Sequence, residues 1–135
     1  MSVKITGEYI GDLRVKMVHV PSGAELTTSA PKDNNGDGSL FSPTDLVGAA
    51  IGSCVMTVMG IVANRDGVDL SGMSMDVEKI MSTTPTRQIG TLNVIISVPA
   101  SVPQEYRKKL ENTGRACPVK NSLKDGIVNL EFNYK

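Results

Sequence analysis

Cys54 and Cys117 are the side chains of this sequence best suited to nucleophilic or redox chemistry. They are its only two cysteines, accompanied by a single histidine, His19, and no tryptophan. A thiolate can attack electrophiles or exchange disulfides, whereas a cysteine buried among apolar residues is ordinarily an inert small hydrophobe. Cys54 stands near the middle of "SPTDLVGAAIGSCVMTVMGIVANRDG", residues 42–67, where no charge falls between Asp45 and Arg65. A mid-helix position denies it the N-terminal dipole that lowers thiol pKa values, so a nucleophilic role needs a cation from elsewhere. The opening "MSVKITGEYIGDLRVKMV" alternates polar and apolar residues and lacks the apolar run of a signal peptide, so a cytoplasmic location is expected. In a reducing cytosol a structural disulfide is unexpected, and a transient or catalytic one fits better. From the residues alone, Cys54 stays open between a small core residue, a membrane-buried bystander and a nucleophile held out of bulk water.

The elements that must position these thiols follow from the surrounding pattern. Residues 3–10 and 13–20 read as strands joined by a Gly11–Asp12 turn, and 24–29 as a third short strand. "APKDNNGDGSLF", 30–41, is a polar turn-rich loop. Ser42 suits a helix N-cap, Pro43 the first helical position and Asp45 the acid of a capping box. The helix should run to about Arg65 and stop at Gly67. Strands are expected over 70–81 and 88–98, a helix over 103–114, a short helix after Pro118, and a closing strand in "IVNLEFNY". Strands and helices segregate rather than alternate, which implies an α+β fold with a mainly antiparallel sheet. The length of 135 residues implies one domain, 1–135, with a core of useful size.

The uncharged stretch from Leu46 to Ala63 sits at the lower edge of a membrane span, and Gly48 and Gly52 form a GxxxG. Gly, Ser, Thr and Asn dilute it, and no aromatic anchors flank it, so no membrane insertion is expected. A helix apolar all round is instead expected to be buried. Glycines at 48, 52 and 60 would let a second backbone approach, such as the same helix of a partner subunit.

The stretch "FSPTDLVGAAIGSC", followed by "ACPVKNSL", resembles the OsmC/Ohr family, in a divergent OsmC-like branch. The resemblance covers nearly the whole chain, including the order of elements. It implies an intertwined homodimer with active sites at the subunit interface, and peroxidase activity toward organic hydroperoxides. Carried over, Cys54 would be the peroxidatic thiolate that becomes a sulfenic acid. Cys117 would be the resolving cysteine that condenses with it to a disulfide, reduced by an external dithiol, which in some family members is of lipoyl type. No bound cofactor is implied. Two positions depart from the family pattern. Thr44 stands where a glutamate usually fixes the activating arginine, with Asp45 beside it as a substitute candidate. For the arginine itself, Arg87 in "PTRQIGTL" matches a divergent-branch pattern, with Arg14 and Lys32 as alternatives.

Other functions find little support. Lys plus Arg and Asp plus Glu both number 14, so no polyanion partner such as nucleic acid is expected. "DNNGDGSLFSPT" places Asp33, Asn35, Asp37 and Gly38 at calcium-loop offsets, but Thr44 occupies the position of the bidentate glutamate. One histidine leaves any Cys–His metal site dependent on scattered carboxylates. No phosphate-binding glycine motif occurs. The competing class is a non-catalytic protein of the same fold, binding an apolar small molecule at its dimer interface with both thiols as passive core residues.

Overall fold

The computed structural model describes residues 1–135, which divide into two compact units, Met1–Leu46 and Val47–Lys135. The first unit is a three-stranded antiparallel sheet in the order β1 (Ile5–Gly11), β2 (Arg14–His19), β3 (Ala24–Ser29). The first hairpin turn lies one residue later than Gly11–Asp12. Asp12 (φ 54°) and Leu13 (φ 58°) occupy its two central positions, and Gly11 (φ 90°) pairs with Arg14. A two-residue turn of this hand needs both central residues at positive φ. Leu13 accepts that geometry with its N–H donated to the Tyr9 hydroxyl (3.3 Å), and its carbonyl accepts the Ala30 N–H (3.1 Å). Cross-strand pairing puts Ile5, Tyr9, Val15, Met17 and Leu26 on one face of the sheet. That apolar face is open: Ile5 and Tyr9 are each 64% exposed.

The loop that follows contains a short 3-10 turn, Lys32–Asn34, and then enters α1 (Pro43–Asp66) through a reciprocal cap. The Ser42 hydroxyl accepts the Asp45 N–H (3.1 Å), and the Asp45 carboxylate accepts the Ser42 N–H (2.9 Å). At the other end Gly67 turns to φ 70°, and the Val68 N–H reaches back to the Ala63 carbonyl (2.8 Å). Both ends are the ones that the residue types dictate.

The second unit places α1 on a mixed sheet in the order β4 (Ser74–Ser82), β5 (Gln88–Val98), β6 (Val128–Tyr134). β4 and β5 are antiparallel, as expected, whereas β5 and β6 are parallel. The reason is the connection: α2 (Gln104–Arg115) and α3 (Pro118–Ser122) form a crossover between β5 and β6, as a parallel pair requires. β4 begins at Ser74 rather than 70, because Asp69 accepts the Ser71 N–H and Gly72 turns to φ 91°. Alternate residues of β5, Leu92, Val94, Ile96 and Val98, are buried, and they meet Ile51, Val55 and Met59 of α1 in one core with Leu110 and Cys117. Each such aliphatic side chain contributes about 1.5–3 kcal/mol on burial.

By length and composition α1 could cross a membrane. In the fold it instead buries the stripe Gly48, Ile51, Gly52, Val55, Met59 and Ala63. Ala50, Ser53, Thr57 and Ile61 remain exposed on other parts of its surface. Its glycines do not receive a second helix in this chain. A methyl at Gly52 would collide with the Met75 sulfur, one at Gly48 would touch Val77 and Leu92, and Gly60 faces open space. The close approach is therefore made by side chains of the sheet.

Candidate functional site

Cys54 lies on α1 next to the buried Val55, and its side chain is half-buried. Its exposed neighbours Ala50, Ser53 and Thr57 are small and uncharged. One helical turn of separation puts Ala50 and Thr57 on the same side of α1 as the thiol. Cys117 lies in the short connection between α2 and α3 and is fully buried. Pro118 at the first helical position of α3 makes Cys117 its N-cap, and the Cys117 sulfur accepts the Lys120 N–H at 3.3 Å.

Two attachments bring the second cysteine to the first. At the far end of α2, Asp66 of α1 accepts the Tyr106 hydroxyl (2.8 Å) and the Lys109 ammonium (2.6 Å). At the near end Gly114 lets the backbone of α2 settle onto α1. A Cβ there would lie 3.0 Å from Phe132 Cζ, 3.1 Å from Met59 Sδ and 3.1 Å from Val55 Cγ1. Gly114 also accepts the Cys117 N–H at 3.2 Å, which fixes the turn that carries the thiol. The result is proximity: Cys54 packs against the core cluster that contains Cys117, and its sulfur is near enough to act on the Cys117 thiol. Burial pushes the Cys117 thiol above its ordinary pKa, the Lys120 N–H pulls it down, and the Cys54 sulfur beside it raises it again.

The remaining candidates lie elsewhere. Asp45 is the reciprocal cap of α1, about 13 Å along the helix from Cys54, so it does not reach the thiol of its own chain. Thr44 places its hydroxyl 3.2 Å from that of Ser42, in the same cap. Arg87 is exposed in the turn before β5. Leu92 packs against Gly48, and Arg87 precedes Leu92 along the strand by about 16 Å, while Cys54 follows Gly48 along α1 by about 9 Å. α1 runs parallel to β5, since Gly48 and then Gly52 pass Val77 and then Met75 of the antiparallel β4, so the two distances add. The structure thus does not bring Arg87 to Cys54 within one chain. Arg14 pairs with Asp37 (3.0 Å) and donates to Ser39 (2.8 Å). Hydrogen bonds from Ser39, then from Arg14, hold the Asp37 carboxyl at a pKa of about 2. His19 is hydrogen-bonded through Nδ1 to Ser22 (2.6 Å). No group of three or more His, Cys, Asp or Glu side chains is arranged to hold a metal ion.

Gly114 and the Asp66–Tyr106–Lys109 attachment were not anticipated from the sequence. The available signal was a glycine inside a helix, three residues before a cysteine, in "NTGRAC", where helix propensity alone disfavours it.

A helix-borne thiol near a second thiol that caps a following helix, on an α+β frame, is an arrangement that dithiol–disulfide chemistry could use. Comparisons with known proteins supply the family. The family model for OsmC-like proteins matches residues 36–131. A protein from Psychrobacter arcticus, proposed to be induced by osmotic stress and to act in a detoxification response, is 32% identical. The match covers 100% of this chain and 96% of that one, with a TM-score of 0.85. At lower identity, the fold is shared with the organic hydroperoxide resistance protein OsmC of Legionella pneumophila (20% identity, 100% and 97% coverage, TM-score 0.71). It is also shared with the organic hydroperoxide resistance protein OhrB of Bacillus subtilis (14% identity, 100% and 98% coverage, TM-score 0.68). No curated protein matches the sequence. This chain belongs to the OsmC-like family.

Proposed function

We propose that the chain is a thiol-dependent peroxidase that reduces organic hydroperoxides to alcohols. The observation that carries this reading is the proximity of Cys54 and Cys117 in one core, with the first thiol part-exposed and the second fully buried. The Cys54 thiolate attacks the distal oxygen of the hydroperoxide. The O–O bond breaks, the alcohol leaves with a proton, and Cys54 becomes a sulfenic acid. The Cys117 sulfur then attacks the Cys54 sulfur, water departs, and a disulfide forms. Proximity of the two thiols in the reduced state favours this second step. An external dithiol returns both thiols. The uncharged surface beside Cys54 favours alkyl hydroperoxides over hydrogen peroxide.

Two parts of the reading lie beyond a single chain. The open apolar face of the N-terminal sheet, and Ile61 of α1 at 62% exposure, fit a homodimer in which a second copy covers them. The cation that activates Cys54 is Arg87 of such a partner subunit, because the Arg87 of the same chain stands at the wrong end of β5. The protein is cytoplasmic in this reading. Cys54→Ser should abolish hydroperoxide reduction; a variant that retained full turnover would remove Cys54 as the nucleophile. Arg87→Ala should slow oxidation of Cys54 by a tenfold factor or more, and unchanged kinetics would return the role to Arg14 or Lys32.

A further inference from the structure

The geometry points to a fixed polarity in the reductive half of the cycle: the external dithiol attacks the sulfur of Cys54, and Cys117 is the leaving group. This inference rests on the peroxidase reading above and adds which of two chemically equivalent sulfurs the reductant meets. Thiol–disulfide exchange is an in-line displacement, so the incoming sulfur must approach the attacked sulfur from the side opposite the other. Cys117 has no exposed surface, and it is enclosed by the core that includes Val55, Met59 and Leu110. Cys54 is partly exposed, and the side of α1 around it carries Ala50, Ser53 and Thr57, none of which is large or charged. Within the chain an approach to Cys54 is open, and a partner that sets Arg87 beside it must leave that approach free for the hydroperoxide; Cys117 has no exposed surface to approach.

Leaving-group chemistry is the competing consideration, and the two effects oppose each other. Burial makes the Cys117 thiol harder to ionise, which by itself favours expelling Cys54 instead. The Lys120 N–H already points at the Cys117 sulfur at 3.3 Å and would receive the charge that develops on it. A raised leaving-group pKa slows the step by degrees. Denying access to a sulfur stops attack on it outright. Access therefore decides.

The reductant thiolate forms a new S–S bond with Cys54 while the Cys54–Cys117 bond breaks. The electron pair of that bond leaves on the Cys117 sulfur, which takes up the proton lost by the reductant. The second thiol of the reductant then attacks its own sulfur in the mixed disulfide. This releases Cys54 as thiolate and the reductant as a cyclic disulfide, for two electrons transferred in total.

The test starts from the full chain oxidised with one equivalent of cumene hydroperoxide. Peptide mapping first establishes that a Cys54–Cys117 disulfide is present; its absence would defeat the peroxidase reading itself. The oxidised protein is then treated with excess 2-mercaptoethanol, an uncharged monothiol, quenched in acid at short times and mapped. The mercaptoethanol adduct is expected on Cys54 with at least a tenfold excess over Cys117. Comparable adducts, or a majority on Cys117, would overturn the polarity while leaving the peroxidase reading intact. Should the adduct be too short-lived to collect, the single-cysteine variants decide. Mercaptoethanol mixed disulfides are prepared on Cys54 in Cys117→Ser and on Cys117 in Cys54→Ser, then reduced with dithiothreitol. The former is expected to be reduced at least tenfold faster, and equal rates would refute the inference.

Discussion

Replacing Gly114 by alanine tests whether the close seating of α2 on α1 is what holds the two thiols together. The added methyl would sit 3.0 Å from Phe132 Cζ, 3.1 Å from Met59 Sδ and 3.1 Å from Val55 Cγ1. Carbon contacts are most favourable at about 3.5–4.0 Å, so the end of α2 must retreat by about 0.5 Å or its neighbours must yield by as much. Met59 is flexible, but the Val55 methyl and the Phe132 ring are less able to move. Alanine gains about 1 kcal/mol in helix propensity over glycine, and overpacking a core costs about 1–3 kcal/mol. The net expectation is a loss of about 1 kcal/mol. The effect on chemistry should be larger than the effect on stability, because Cys117 follows Gly114 on the same turn. A displacement of about 1 Å at a reacting centre can cost about a hundredfold in rate. A retreat of half that size should slow disulfide formation by about tenfold. Chemical denaturation measures the first quantity. The second is read from the decay of a dimedone-trappable Cys54 sulfenic acid after one equivalent of hydroperoxide. Formation of the sulfenic acid itself should be unchanged. A Gly114→Ala protein that is more stable than the parent and closes its disulfide at the parent rate would refute the reasoning.

Three further outcomes follow from the structure. Ser42→Ala removes one half of the reciprocal cap at the start of α1 and should destabilise the protein by about 1 kcal/mol in chemical denaturation, an effect absent if the cap contributes nothing. Asp37, held at about 2 against an ordinary 3.8, contributes stability that is fully present above pH 4 and is lost as pH falls through 2; Asp37→Asn should flatten that part of the acid profile, and an unchanged profile would argue against the Arg14–Asp37–Ser39 cluster. The Cys117 thiol is raised above its ordinary 9.0, so the folded protein keeps a proton that the unfolded chain loses, and stability should decline as pH rises above 9. Cys117→Ser should lessen that decline, and an equally steep loss in the variant would place its cause elsewhere.

Local chemistry made much of this architecture readable in advance. The limits of α1 follow from Ser42, Pro43 and Asp45 at one end and Gly67 at the other, and the structure realises both. The alternation of Leu92, Val94, Ile96 and Val98 likewise marks β5 and its buried face. What escaped was set by partners distant in sequence. The parallel pairing of β6 depends on where the α2–α3 crossover returns the chain, which the "IVNLEFNY" pattern does not encode. Gly48 and Gly52 looked like seats for a second helix, yet Val77 and Met75 occupy those places. Asp45 was legible as a cap and, from the family resemblance, as a substitute for the missing glutamate; its hydrogen bonds with Ser42 are those of the cap. The proximity of Cys54 and Cys117 was implied by resemblance alone, since it depends on Gly114 meeting Val55 and Met59. No periodicity in the sequence reports that meeting.

The most direct test of the central proposal is intact-mass and peptide mapping after one equivalent of cumene hydroperoxide, with hydrogen peroxide in parallel. The expected result is rapid loss of two hydrogens per chain, a Cys54–Cys117 cross-linked peptide, and faster reaction with the organic peroxide. Both thiols still titratable after denaturation, with no change in mass, would contradict peroxidase function and leave the pair as passive core residues.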